Sequence, residues 1–188
     1  SWVYSIDFAP AAHALVSGSE DRVVRVWDLT HAEPRFKSFL KGDPVAVYAV
    51  AYSPDGKTVA AGGNHTTVRQ WDATTARTRP ALTAHPGAVQ RLIYSPDGRQ
   101  LLAQSARSLV LWNALKGQEV RRFETPETNI NCMAYSPDGR HALTGNGTYL
   151  YKDGKIVYDD KKQPVYTDCV VRLWGIDSGE ELASDKSY

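Results

Sequence analysis

Long apolar segments are absent from the sequence, and cysteines are few. No run of about 18 apolar residues occurs, and the first residues lack a basic segment followed by an apolar one, so we expect neither a membrane-spanning helix nor a signal peptide. The two cysteines, Cys132 and Cys169, have neither the spacing of zinc ligands nor the density of a disulfide scaffold, so we interpret both as packed thiols. These reduced thiols and the missing signal favour a cytoplasmic location.

An excess of charge of one sign is absent as well. The chain of 188 residues has 22 Lys and Arg residues against 21 Asp and Glu residues. This balance gives no electrostatic reason to bind a polyanion. We therefore expect neither nucleic acid nor a membrane among its partners.

Motifs for catalysis and for cofactor or metal binding are also missing. The histidines are scattered, without a pair or an acidic partner at metal-ligand spacing: His13, His31, His65, His85 and His141. No nucleophile elbow, phosphate loop or dinucleotide fingerprint occurs, and we interpret Gly62-Gly63-Asn64 and Gly145-Asn146-Gly147 as turns at strand ends. We expect no catalytic residue, no cofactor and no metal, and hence no enzyme.

What the sequence does contain is an internal repeat. The pentapeptide Tyr-Ser-Pro-Asp-Gly occurs at Tyr52–Gly56, Tyr94–Gly98 and Tyr135–Gly139, with offsets of 42 and 41 residues. A decayed fourth copy, Phe8-Ala9-Pro10, lies 44 residues before Tyr52. Such a period is typical of repeat architectures built from one small unit.

A run of β-branched or apolar residues that ends in tryptophan follows each copy. These runs are Val23–Trp27, Thr67–Trp71, Ser108–Trp112 and Val170–Trp174. In the last unit the interval is stretched, because Trp174 lies 39 residues after Tyr135.

The first unit shows most plainly how a unit divides into four strands. We predict strands over Val3 to Phe8 and Ala14 to Ser17, a tight turn at Ser19 to Asp21, a third strand ending at Trp27 and a fourth near Phe36 to Leu40. The Ser-Pro-Asp-Gly turns fit between the first two strands, because Pro presets φ, Asp caps the backbone and Gly accepts a positive φ. Each unit is thus predicted to be an antiparallel four-stranded sheet.

Such a sheet is apolar on both faces and cannot bury itself alone. In the first unit we expect Val3, Ile6, Phe8 and Trp27 to be buried. Short strands at this period predict radial stacking into an all-β propeller, in which neighbouring sheets cover each face. Residues 1–188 then form one propeller segment with four blades at about 1–42, 43–84, 85–126 and 127–188.

The period, the turn and the terminal tryptophan together resemble the WD-repeat family of β-propellers over essentially the whole chain. Trp27-Asp28 and Trp71-Asp72 carry the signature dipeptide of that family, and Trp112-Asn113 and Trp174-Gly175 are degenerate versions. Of the family's Gly-His dipeptide, Ala84-His85 keeps the His, Gly42-Asp43 keeps only the Gly, and Thr125-Pro126 keeps neither.

The resemblance implies a structural hydrogen-bonded set of four side chains: this His, an Asp in the turn before the third strand, a hydroxyl on the second strand and the Trp indole. Structural roles therefore go to Ser17, Asp21 and Trp27 in unit one, to Thr144, Asp168 and Trp174 in unit four, and to Trp71, Trp112 and His85. Unit two has His65 and Ala61 at the Asp and hydroxyl positions, and unit three has Ala106 at the Asp position. No unit holds all four members, and we expect the third blade to be marginal.

Four blades are fewer than the resemblance implies, because propellers of this family usually close with seven or eight. Three arrangements remain open: the chain is cut from a longer protein, two copies pair into an eight-bladed ring, or another subunit supplies the rest. We favour the first two together over a self-closed ring of four blades.

Unit four carries an insertion of about 20 residues, at 148–167. Asp153-Gly154 lies between apolar runs, which predicts a hairpin that extends the strand pair beyond the propeller. The insertion is either a recognition arm, because tyrosines are enriched at interface hot spots, or a hairpin folded on its own blade that binds nothing. The tyrosines in question are Tyr149, Tyr151, Tyr158 and Tyr166.

We predict a non-catalytic scaffold that binds a protein or peptide through loops at one propeller face and through the insertion. At that face the candidate contacts lie near the starts of the first strands, at Trp2, Tyr48, Gln90 and Asn131. Two alternatives stay open. One is a propeller with a small-molecule site in its channel or with an attached catalytic domain, and the other is an assembly element whose main ligand is a second copy, as a homodimer.

Overall fold

A computed structural model describes residues 1–10, 13–40, 44–123 and 129–186. These residues form strands and turns without a helix, which confirms the predicted all-β class. Accordingly, none of the described segments is a helix able to cross a membrane. The Gly42-Asp43 and Thr125-Pro126 pairs lie outside the described residues, as does the side chain of Asp168.

Sixteen of the strands form four sheets of four strands each. Sheet one contains β1 (Val3–Phe8), β2 (Ala14–Ser19), β3 (Val24–Asp28) and β4 (Arg35–Leu40). Sheet two contains β5 (Val47–Tyr52), β6 (Thr58–Gly63), β7 (Val68–Asp72) and β8 (Thr78–Leu82). Sheet three contains β9 (Arg91–Tyr94), β10 (Gln100–Gln104), β11 (Leu109–Asn113) and β12 (Gln118–Phe123). Sheet four contains β13 (Ile130–Tyr135), β14 (His141–Tyr149), β17 (Tyr166–Gly175) and β18 (Glu181–Asp185), and β15 (Tyr151–Lys152) and β16 (Lys155–Ile156) form a small hairpin in the insertion.

Each of the four sheets is an antiparallel meander in chain order. The first strands of neighbouring sheets, β1, β5, β9 and β13, lie side by side along a shared open channel. The sheets therefore fan out from that channel, with the fourth strand of each on the outside, as blades do. The fold is a partial β-propeller of four blades, as the repeat predicts.

The Ser-Pro-Asp-Gly turns join the first two strands of sheets two, three and four. In the turn of sheet two the Ser53 hydroxyl donates to Asp55 Oδ1 at 2.5 Å, and the Lys57 backbone N–H donates to the same oxygen at 3.0 Å. Gly56 has a φ of 69°, which L side chains rarely adopt. The same bonds recur in the turns that begin at Ser95 and Ser136, so the repeated motif produces a repeated hairpin.

Apolar clusters fill the space between neighbouring sheets. Between sheets one and two, for example, Val16 and Val24 share a cluster with Val59 and Trp71, and each is at most 1% exposed. Similar clusters lie between sheets two and three and between sheets three and four. This sheet-on-sheet burial is the main stabilising contribution that the fold offers.

The expected burial of Val3, Ile6 and Phe8 is wrong. Their side chains are 60%, 59% and 61% exposed, and Trp27 is only half-buried. The reason is that these residues lie on the face of sheet one that no sheet of the described residues covers. In sheet two the position of Phe8 is held by Tyr52, which is 6% exposed because sheet one covers it.

The interpretation of Gly145-Asn146-Gly147 as a strand-end turn is also wrong. All three residues lie inside β14, which continues through them to Tyr149 and pairs with β17 along the way. The strand is longer than its counterparts because the insertion prolongs it. Gly62 and Gly63, in contrast, do end β6.

Candidate binding surface

A β-bulge near the start of the first strand occurs in sheets one, two and four. The pairing register shifts between Val3 and Ser5, and at the equivalent points Tyr48 and Asn131 are the bulged residues. A bulge turns its side chain away from the regular alternation of the strand. The structure therefore presents Tyr48 and Asn131 where the first strands begin, and Gln90 lies at the same level, immediately before β9.

The register corrects one member of this predicted set. Val3, Val47 and Ile130 pair at the same level of their sheets, so the counterpart of Tyr48 and Asn131 is Tyr4 rather than Trp2. Trp2 precedes β1 and is 74% exposed, and its carbonyl accepts a hydrogen bond from the Ser19 hydroxyl at 2.8 Å. Aligning the first apolar residue of each unit would have identified Tyr4 from the sequence.

These residues meet where the central channel opens, and we define the channel mouth as Tyr4, Tyr48, Gln90, Arg91 and Asn131. The rings of Tyr4 and Tyr48 pack edge to face, with their centroids 5.3 Å apart. The Arg91 guanidinium donates from Nε to the Asn131 carbonyl at 2.9 Å. Sequence reasoning missed Arg91, since nothing in the repeat pattern distinguishes it. Below the mouth lies an open cavity of about 670 Å³ lined by the first strands.

The chemistry of the mouth suits recognition through rings, amides and one guanidinium. The acidic group deeper in the channel, Asp7, already accepts backbone N–H donors from Tyr52 at 2.7 Å and from Phe8 at 3.0 Å. Burial raises the pKa of Asp7 above its usual value. Among the described residues, no cluster of three or more His, Cys, Asp or Glu side chains is placed to hold a metal ion.

The insertion extends sheet four beyond the other sheets, and we define residues 148–167 as the arm. Strands β14 and β17 continue until Tyr149 pairs with Tyr166, whose rings lie 5.0 Å apart. A hydrogen bond with Tyr149 raises the pKa of Tyr166 above its usual value. Beyond them β15 and β16 form the predicted hairpin, with Asp153 and Gly154 at φ values of 52° and 73°.

Backbone hydrogen bonds tie the base of the arm together. Leu150 N donates to Val165 O at 2.8 Å, Val157 N donates to Leu150 O at 2.8 Å, and Val165 N donates to Val157 O at 2.9 Å. Because these three bonds join Leu150, Val157 and Val165 to one another, they fix the conformation of the base of the arm, which no other sheet of the described residues covers. All four predicted contact tyrosines are nevertheless well exposed, at 40% for Tyr149, 56% for Tyr151, 58% for Tyr158 and 56% for Tyr166.

The arm and the channel mouth lie at the same end of sheet four. The Asn131 amide donates from Nδ2 to the carbonyl of Gly147 at 2.7 Å, immediately before the arm begins. The Ser-Pro-Asp-Gly turns lie at the opposite end of the strands. Mouth and arm can therefore contact one partner.

Of the residues predicted to be structural, the tryptophans and their hydroxyl partners lie within strands, whereas Asp21 lies in the turn before β3 and His85 precedes β9. Trp27 donates from Nε1 to Ser17 Oγ at 2.9 Å, and Trp174 donates to Thr144 Oγ1 at 3.0 Å. Asp21 forms a bidentate ion pair with Arg25, at 2.6 and 3.1 Å, instead of the family's bond to His. Trp71, which is 1% exposed, packs between sheets one and two.

Sheet three departs most from the expected hydrogen-bonded set. Trp112 Nε1 is buried and has no hydrogen-bond partner among the described residues, because Ala103 stands where sheets one and four have a hydroxyl. His85 is 1% exposed and lies with Nδ1 3.0 Å from Gly87 O and Nε2 3.3 Å from Ala103 O. Burial lowers the pKa of His85, so its neutral form is favoured.

The fold and this surface define a segment of a WD-type β-propeller with an accessory arm. Comparison with family models supports this description. The model of the WD40 family, described as "WD domain, G-beta repeat", matches residues 1–28, 35–72 and 117–158. These ranges cover more than half of the chain, which belongs to the WD40 family. The second and third matches each begin at the last strand of one sheet and continue into the next sheet. A search of curated proteins found none that matches the chain.

Proposed function

We propose that the chain is a non-catalytic scaffold that binds a protein or peptide through the channel mouth and the arm. WD40 repeats generally mediate interactions between proteins, and this general role extends to the chain through its family. The observation that carries the specific proposal is the exposure of four tyrosines on an arm that stands beside the mouth.

Tyrosine suits such a contact for physical reasons. Its ring provides a large apolar area at a low cost in conformational entropy, and its hydroxyl can still find a polar partner. Hot spots at protein interfaces are accordingly enriched in tyrosine, tryptophan and arginine. The mouth adds two further tyrosines, Tyr4 and Tyr48, and the guanidinium of Arg91.

The absence of catalysis belongs to the same proposal. WD40 domains are typically non-catalytic. The charged groups nearest the channel support a non-catalytic role, because both already have hydrogen-bond partners within the protein. Asp7 accepts hydrogen bonds from two backbone N–H groups, and Arg91 donates to the carbonyl of Asn131. The rival is a small-molecule or attached enzyme activity, which a turnover screen on the longest natural form of the protein would detect.

The binding proposal can be tested with peptides selected from a random display library on the wild-type chain. We expect the double variant Tyr151→Ser and Tyr158→Ser to lose about tenfold in affinity, because two hot-spot rings are removed. The matched control is Leu115→Ser, which removes a side chain that is 68% exposed at the opposite end of the sheets. Equal affinity of both variants would remove the arm from the site.

Assembly is the second candidate function, in which two copies pair into a ring of eight sheets. The observation that favours it is that sheets one and four each leave one apolar face uncovered by any sheet of the described residues. Sedimentation equilibrium tests it, since a pair has twice the 20.8 kDa of one chain. A single 20.8 kDa species at all concentrations would rule it out.

A further inference from the structure

Asp-Gly dipeptides occur four times in the chain, and the structure separates one of them from the other three. Asp55-Gly56, Asp97-Gly98 and Asp138-Gly139 lie in the Ser-Pro-Asp-Gly turns, whereas Asp153-Gly154 lies in the turn between β15 and β16 of the arm. The dipeptide is chemically weak, because glycine has no side chain to shield its backbone nitrogen from the preceding carboxyl group. That nitrogen can attack the carboxyl carbon and close a five-membered ring. The local structure of each site therefore decides how readily the ring closes.

In the three Ser-Pro-Asp-Gly turns, hydrogen bonds hold both of the groups that would react. The Gly56 N–H donates to the Ser53 carbonyl at 2.8 Å, and the corresponding bonds of Gly98 and Gly139 are 2.9 Å long. The carboxylate of each Asp accepts bonds from the serine hydroxyl and from the backbone N–H two residues later.

The serine bonds also keep the pKa values of these three carboxyl groups below their usual range. Ring closure expels water from the neutral form of the carboxyl group. A lowered pKa makes that form scarcer at neutral pH and so slows the reaction. The Ser-Pro-Asp-Gly turns are therefore protected twice, at the nitrogen and at the carboxyl group.

The Asp153-Gly154 turn has neither protection. Both residues are exposed, and neither the Asp153 carboxylate nor the Gly154 N–H forms a hydrogen bond within the described part of the chain. The turn joins strands of only two residues each, Tyr151–Lys152 and Lys155–Ile156. Rotation of the backbone at Asp153 therefore breaks few bonds, and the Gly154 nitrogen can reach the carboxyl carbon.

One Asn-Gly pair could undergo the same ring closure, but the fold holds it in place. Asn146-Gly147 lies inside β14, where Asn146 is 8% exposed and pairs with Ile130 on one side and Val170 on the other. A strand that is paired on both sides cannot turn its nitrogen toward the side chain without losing bonds of both ladders. Among these dipeptides, Asp153-Gly154 is therefore the one with a free nitrogen and a free carboxylate.

We propose that Asp153 is a site of spontaneous modification to isoaspartate in the folded chain. The Gly154 nitrogen forms a bond to Cγ of Asp153, and one water molecule leaves with the proton of that nitrogen and the hydroxyl of the carboxyl group. A water molecule then adds to the main-chain carbonyl of the ring, whose bond to the Gly154 nitrogen breaks. The main chain now continues through Cγ, the former main-chain carbonyl is a free carboxylate, and the net composition is unchanged.

Isoaspartate changes the geometry of the arm. It adds one carbon atom to the main chain of a two-residue turn, and the length of such a turn fixes the register of the strands that it joins. We expect the pairing of Tyr151 with Ile156 and of Lys152 with Lys155 to be lost. The free carboxylate is the group that isoaspartyl methyltransferases esterify, so the modified arm is a substrate for that class of enzyme. This inference does not depend on partner binding by the arm.

Ageing of the purified 188-residue chain at neutral pH tests the site. Peptide mapping with electron-transfer fragmentation, which distinguishes isoaspartate from aspartate, gives a rate at each of the four dipeptides. We expect Asp153 to isomerise about tenfold faster than Asp55, Asp97 or Asp138, because each hydrogen bond that must break raises the barrier. Asn146 should stay unmodified over the same period.

The chain unfolded in guanidinium chloride is the first control, since the four rates should converge there. The matched variant is Asp153→Gly, which keeps a turn-forming pair and has no carboxyl group to close the ring. It should remove most of the methyl groups that the aged chain accepts from an isoaspartyl methyltransferase. Equal rates at the four sites of the folded chain would overturn the proposal, as would a preference for Asp153 that persists unchanged after unfolding.

Discussion

In sheets one and four, a single side-chain hydroxyl accepts the hydrogen bond of the tryptophan indole. Trp174 is 2% exposed and donates to Thr144, whereas Trp27 is half-buried and donates to Ser17. An indole N–H that loses its partner in a dry site keeps the full cost of its desolvation, but one near solvent can bond to water. The two bonds are alike in length and should differ in energy.

We expect Thr144→Val to lower the free energy of unfolding by about 1 to 3 kcal/mol. The substitution nearly keeps the side-chain volume but leaves the buried indole N–H of Trp174 without a hydrogen-bond acceptor. Ser17→Ala should cost clearly less. Urea unfolding followed by tryptophan fluorescence measures both. Equal losses would contradict the account of burial given for the two sheets.

His85 provides a pH dependence whose sign follows from its lowered pKa. The folded chain binds fewer protons at this site than the unfolded chain, whose His85 keeps its ordinary value near 6.5. The stability contributed by neutral His85 is therefore fully present above that value and falls as the pH falls below it.

We expect the wild-type chain to lose more stability than the His85→Gln variant between about pH 7.5 and 5.5, the range in which an unperturbed histidine titrates. The control is Gln90→Ala, which removes an exposed side chain without a titratable group and should keep the wild-type slope. Chemical unfolding at several pH values measures the slopes. A slope unchanged by His85→Gln would show that another group is responsible.

At the scale of elements, most strands and turns were predictable, except the long strand β14 through Gly145 to Gly147, and the exposed faces were not. The bounds of β1 follow from the sequence alone, because alternation and turn chemistry are local properties. The exposure of Ile6 and Phe8 depends on whether a neighbouring sheet is present, which no local pattern encodes. The offset of 44 residues that relates Phe8 to Tyr52 also relates Tyr4 to Tyr48, because both strands carry the same bulge, so this register was predictable from the repeat.

Sheet three is the element in which the predicted weakness can be tested. Its four strands form and its core is buried, yet Trp112 lacks the hydroxyl partner that Ala103 cannot provide. The marginal stability of this blade stays a prediction, because a formed sheet does not measure its free energy of unfolding.

We expect Ala103→Ser to raise the free energy of unfolding by about 1 kcal/mol, since it supplies a hydroxyl where Ser17 and Thr144 stand in the other sheets. The matched control is Ala60→Ser, which places a hydroxyl in another fully buried site, among the apolar cluster between sheets two and three, and should destabilise the chain. Urea unfolding compares the two. Destabilisation by both variants would show that Trp112 is not short of a partner.

At the scale of the whole molecule, the two ends of the channel differ in chemistry. One end carries the channel mouth and the arm, with the rings of Tyr4 and Tyr48 and the exposed tyrosines. The other end carries the Ser-Pro-Asp-Gly turns, where hydrogen bonds from serine side chains hold the pKa values of Asp55, Asp97 and Asp138 below their usual range. Among the described residues, the strongly exposed tyrosines therefore lie at the end that carries the mouth and the arm, and we expect a partner that needs tyrosine contacts to bind there.

Amide chemical-shift mapping with a library-selected peptide tests directly which end binds. We expect the shifts to concentrate at Tyr48, Gln90 and Asn131 and along the arm, with little change in the turns. Shifts concentrated at Asp55, Asp97 and Asp138, with the arm unaffected, would contradict this expectation.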